Sequence, residues 1–142
     1  MASLFYNNFF EALAKADIDF DSATIKAMLV TTAYTPNRDT HAFRSDITGE
    51  ASGSGYTAGG QALNNLTITQ NNTSDRCDID FDNEVFTGIT VSLVNAYVLY
   101  KDTGNAATDI LIAYIEFTEG SQSTVNGDFT IIPPAGGAFS IG

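Results

Sequence analysis

The residues most able to do chemistry are carboxylates at alternating positions. In Cys77-Asp78-Ile79-Asp80-Phe81-Asp82, a strand would send Asp78, Asp80 and Asp82 to one face, with Glu84 just beyond, because successive side chains on a strand point to opposite sides. Two chemistries suit such a row. Crowded carboxylates can hold a hard cation such as calcium, and a pair such as Asp80 and Glu84 can divide acid and base roles in glycan hydrolysis. The calcium pattern fails on spacing: a helix-loop-helix calcium loop beginning at Asp78 needs Gly at its sixth position and Glu at its twelfth, where this chain has Asn83 and Ile89. The plainer expectation is a solvated strand face whose charges discourage edge-to-edge pairing. Asp17-Ile18-Asp19-Phe20-Asp21 repeats the same five residues; it is read the same way, and the match is too short to indicate a duplication.

The other chemical candidates thin out quickly. His41 is the only histidine, so a multi-histidine zinc or iron site is excluded. Cys77 is the only cysteine, so no intrachain disulfide can form, and its place beside Ile79 and Phe81 predicts a buried, inert thiol. A Gly-x-Ser-x-Gly elbow is absent, and Gly53-Ser54-Gly55 with Gly59-Gly60 lacks the Lys-Ser/Thr that would make a phosphate loop. Tyr6, Tyr34 and Tyr56 are candidates for an aromatic sugar platform, although a core role is commoner for such residues. The expectation is a non-enzymatic protein without catalytic residues, metal or cofactor.

Positioning any of these residues falls to strands. Residues 3–16 read as the one helix, with Ser3 as N-cap and Leu4, Phe5, Phe9, Leu13 and Ala16 at helical spacing. From residue 23 the period changes to two: Ile25, Ala27 and Leu29 alternate up to the turn Tyr34-Thr35-Pro36-Asn37. Residues 37–60 form a long Gly/Ser/Thr/Asp-rich loop with room for a helical turn at 40–47, and loops of that length are commonly functional or mobile. Strands follow at 63–70 and 77–82, joined by a hairpin loop at 71–75. The apolar runs 89–101 and 110–117 read as central strands buried on both sides, and 127–132 and 138–141 complete the set. Seven or eight strands with regular turn signals predict a single all-β domain over 1–142, an antiparallel β-sandwich with the jelly roll as one variant.

Composition bounds the partners. Of the 142 residues, 17 are Asp or Glu and 6 are Lys or Arg, giving a net charge of -11. Nucleic acid and anionic membrane surfaces would repel such a chain. With 44% hydrophobic and 16% charged residues it has the makings of a core and not of a disordered tail. The opening residues lack a basic and apolar leader pattern, and no stretch is apolar enough to span a membrane as a helix.

Taken in order, the segments resemble a family of small virion structural proteins of tailed bacteriophages. The resemblance is carried by Leu4-Phe5-Tyr6-Asn7, by Ile18-Asp19-Phe20-Asp21 leading into Thr24-Ile25-Lys26-Ala27-Met28-Leu29, and by Tyr34-Thr35-Pro36 with Asp39-Thr40-His41. It continues through Gly53-Ser54-Gly55-Tyr56-Thr57-Ala58-Gly59-Gly60 and Tyr97-Val98-Leu99-Tyr100-Lys101-Asp102-Thr103-Gly104. It spans nearly the whole chain, and its specificity lies in order and spacing. What the resemblance implies is a head decoration, or cement, protein: located on the capsid surface after a stay in the host cytoplasm, bound to the major capsid protein, and lacking catalytic residues. A tail or glycan-reading receptor-binding protein is the alternative. A homo-oligomer is expected, with a trimer preferred because capsid lattices offer local threefold positions. The candidate contact residues are Phe5, Phe9 and Leu13 on the helix, Tyr56 in the Gly/Ser loop and Phe139 near the C-terminus.

Overall fold

The computed structural model describes residues 3–142. In chain order the strands are β1 (Leu4–Phe5), β2 (Ile25–Thr31), β3 (Gln61–Ala62), β4 (Thr67–Asn71), β5 (Arg76–Asp80), β6 (Glu84–Lys101), β7 (Ile110–Glu116), β8 (Gln122–Ile131) and β9 (Phe139–Ile141). Helix α1 occupies Asn7–Ala14, and Arg44–Asp46 makes one 3-10 turn. The result is an all-β antiparallel sandwich. β1, β7, β6, β2 and β3 lie side by side in that order with β8 also paired to β6, and β4, β5 and β9 form the second sheet. The strands therefore divide six and three, where a jelly roll would have two sheets of four.

The 18-residue strand β6 organises the large sheet. Its second half pairs with β2 from Ile25↔Lys101 to Thr31↔Val94, and on the other side with β7 from Ala96↔Glu116 to Lys101↔Ile110. Its first half pairs with β8, from Glu84↔Ile131 to Val94↔Gln122. β7 and β8 thus run the same way along β6 and act as one long partner strand, broken by an excursion at 117–121.

Two cores sandwich the large sheet, as the apolar runs in β6 and β7 require. Ala27, Leu29, Leu99 and Ile112 face the small sheet, where Ile79, Phe81, Phe20 and Phe9 close the first core. Met28, Val30, Val98, Tyr100 and Tyr114 face the other way, and Tyr34 and Ile47 help close that second core. The long segment at 37–60, expected to be a functional or mobile loop, therefore serves in part as a cover. It is fastened at Arg44, whose Nε donates to Asp109 Oδ2 at 2.7 Å while its N–H donates to the Asp109 carbonyl. Asp46 Oδ2 accepts from the N–H groups of Ala42 and Phe43, both at 2.9 Å. The glycine cluster has a packing reason as well: a Cβ on Gly53 would lie 1.7 Å from the Thr90 carbonyl oxygen, and one on Gly60 (φ +74°) 1.8 Å from that of Ala27. These residues lie against backbone where no side chain fits.

The N-terminal helix is shorter than its periodicity predicts. Leu4 and Phe5 pair with Tyr114 and Ala113 on the free edge of β7, so the chain is extended there and the helix begins after Tyr6. Ser3 is no N-cap: its Oγ accepts from the Glu116 N–H at 2.9 Å. At the other end Ala16 turns left-handed (φ +61°) and stops the helix. Elsewhere β6 and β8 each start five residues earlier than the apolar runs indicate, at Glu84 and Gln122, and β4 starts later, at Thr67.

Candidate interaction surface

The row of carboxylates is dispersed into separate structural tasks. Strand β5 ends at Asp80, so Asp82 lies off the strand face. Asp78 accepts from Asn71 Nδ2 at 2.8 Å and Arg76 Nε at 2.6 Å, and these donors hold its carboxyl below the ordinary range. Asp80 accepts from the Phe81 N–H at 2.9 Å, and Asp82 from Asn65 Nδ2 at 2.5 Å. Glu84 is 1% exposed and accepts from the Asn64 N–H at 2.5 Å and from Asn64 Nδ2 and Gln61 Nε2 at 3.2 Å. It anchors residues 61–64 to the start of β6 and presents no acid or base to a substrate. Among the described residues, no three His, Cys, Asp or Glu side chains converge as a metal site would require. Cys77 is half-buried against the first core as a free thiol.

Burial also overturns the tyrosine platform. Tyr6 and Tyr34 are 0% and 3% exposed. Their hydroxyls lie 2.8 Å apart, and Tyr34 Oη is 2.9 Å from His41 Nδ1. Because His41 Nδ1 already accepts from the Asn37 N–H at 3.2 Å, Tyr34 donates to it and Tyr6 donates to Tyr34. This buried relay pins the cover to the start of α1. Desolvation raises the Tyr6 phenol, and its bond to Tyr34 adds to the rise. The Tyr56 hydroxyl donates to Glu50 Oε1 at 3.0 Å and accepts from the Leu29 N–H at 3.1 Å.

The five residues expected to contact a partner are all packed within the chain. Phe9 is fully buried, and Phe5, Leu13, Tyr56 and Phe139 are half-buried against the same core. Phe5 stacks on Phe9 and meets Phe139 edge-on, each at 5.6 Å between ring centroids. Helix α1 docks on its own sandwich, and that burial withdraws Phe9 from any contact with another molecule.

Phe10 on α1 is 46% exposed, but the most exposed large apolar side chains lie elsewhere. The first half of β6 and β8 form a ribbon that buries one face through Phe86, Ile89, Val91, Phe129 and Ile131. Away from that face, Leu93 is 56% and Val125 77% exposed, and Ile132 at the end of β8 is 69% exposed. Among the described residues β8 pairs only with β6, and its outer edge makes no backbone hydrogen bond to any of them. Asp128 is the one charged residue on β8. Matched against protein-family models, curated proteins and solved structures, the chain finds no counterpart in any of them.

Sequence reasoning missed this ribbon because Leu93 and Val125 sit among polar residues and the pairing slips three times, between Phe86/Ile89, Ile89/Val91 and Val91/Val94. Each slip changes which residues share a face. Leu93 (φ +56°) and Asn126 (φ +46°) carry the left-handed backbone that such irregularities require. The available signal was the pair of breaks in alternation at Ser92-Leu93 and Thr124-Val125.

Proposed function

We propose that this chain is a non-enzymatic structural protein of a bacteriophage particle, a decoration protein that binds the major capsid protein as a closed oligomer, with a trimer preferred. The observation that supports it is the ribbon: an open strand edge, nearly free of charge, carrying Leu93 and Val125 into solvent on a chain whose net charge is -11. Main-chain groups along such an edge can take an added strand, and apolar side chains beside it supply area for a contact. Strong negative charge keeps many copies apart before assembly and away from a packaged genome. The carboxylates that could have served a hydrolase are held in internal bonds, which also favours a structural role over an enzymatic one.

Quantifying the chain in purified particles against the major capsid protein tests this reading. Hundreds of copies per particle are expected. Tens or fewer would move the protein to the tail, where receptor binding is the alternative, and no copies would remove it from the virion.

A further inference from the structure

Where β7 gives way to β8, the excursion at 117–121 opens a cavity of about 450 Å³. Aromatic rings line its apolar side, with Tyr97 and Phe117 centroids 5.7 Å apart and Phe117 and Phe129 5.6 Å apart. Tyr97 is 2% exposed, and its hydroxyl makes no hydrogen bond to any described residue. Among those residues, Asn95 Oδ1 is the one side-chain polar atom both sealed from solvent and unpaired. The Tyr97 hydroxyl is thus unpaired but not sealed from solvent, and Tyr97 lines the cavity. Glu116, Glu119 and Asp128 also line it, and no Lys, Arg or His does. Asp128 uses one oxygen to accept from the Gly88 N–H at 3.1 Å and keeps the other available.

We propose that this cavity binds a cationic group carried on an apolar stem, an alkylammonium or alkylguanidinium. Methylenes would lie against Phe117 and Phe129, an N–H would donate to the Tyr97 hydroxyl, and the charge would rest near Asp128 and Glu119. An anion would meet only like charge. A purely apolar group would cover the Tyr97 hydroxyl without giving it a partner, which costs the desolvation of that group. Two sources supply the required chemistry, a free small amine or a Lys or Arg side chain of a partner protein, and the site does not depend on the protein belonging to a virion.

Titration of the whole chain by calorimetry and amide NMR, with cadaverine, capped lysine, pentanol, glucose and glutarate as probes, tests the proposal. Both amines should saturate one site that moves the resonances of residues 117–130 and weakens as salt is added. Tyr97→Phe keeps the ring and should weaken the amines several-fold, whereas Glu119→Gln with Asp128→Asn should weaken them on the order of tenfold. Melting curves of both variants confirm that the fold persists. Tighter binding of cadaverine identifies a free amine as the ligand, and tighter binding of capped lysine a partner side chain. Amine binding that is not saturable, that both variants leave unchanged, or that pentanol or glucose equals would overturn the proposal.

Discussion

One strand passes through two environments, and the comparison between its halves explains most of the molecule. In the second half of β6, residues 96–100 are buried without interruption. Over residues 84–93 of the same strand buried and exposed positions are mixed, and Leu93, three residues before the buried run, is more than half exposed. Local sequence does not account for the change, since both halves are rich in β-branched and apolar residues. The difference comes from what lies above the sheet. The second half is covered by the segment holding Tyr34 and Ile47, locked by Arg44 and Asp109, and the first half has only its inner face covered. Coverage, supplied by distant residues, decides which part of a strand is core and which is surface.

The same substitution made in both regions should separate them most sharply. Gly60→Ala drives a Cβ into the Ala27 carbonyl in the central region and should cost about 4 kcal/mol. Gly88→Ala in the ribbon has a φ of +63° but nothing within 4 Å, so it should cost about 1 kcal/mol. Denaturant melts of the two variants measure this, and equal losses would break the comparison.

Phe9→Ala should lower stability by about 3 kcal/mol, as expected of a fully buried ring that packs within its own chain. An unchanged melting temperature would mean that α1 does not hold the first core. Asp109→Asn, on the covered side, should cost about 2 kcal/mol because it leaves the Arg44 guanidinium without its buried counter-charge. Burial alone would raise the Asp109 carboxyl, but donors from Arg44 and Thr103 outweigh it and hold the group below its ordinary 3.8. The folded value being the lower one, its contribution is complete above pH 3.8 and is lost as pH falls through the folded value. The stability gap between the native protein and Asp109→Asn should therefore close in strong acid, as read from urea midpoints across pH.

The smallest effect on stability belongs to Leu93→Ser and Val125→Ser, each within about 0.5 kcal/mol because the side chains are already in water. Co-sedimentation with capsids should nevertheless fall for both. Retained binding would move the contact off the ribbon.

Legibility followed the same division. β2, β7 and the second half of β6 were readable because a strand buried on both faces is written as an apolar run. Ser3 and the spacing of Phe5, Phe9 and Leu13 predicted a longer helix because periodicity carries no knowledge of the free edge of β7 that draws Leu4 and Phe5 into a strand. Glu84 reads as surface, and three donors from residues 61 and 64 make its burial possible. The Tyr97 cavity was invisible because it exists only where two segments of one strand partner fail to join.

The slipped pairing along β8 sets a limit on growth. A straight, regular edge invites the next molecule to repeat the contact, and the next after that, until a fibre forms. Three offsets within eleven residues of β6 leave an incoming strand only short stretches on which to align. Such an edge can accept one shaped partner while giving no regular template for a second, which works against copies of this chain stacking on one another.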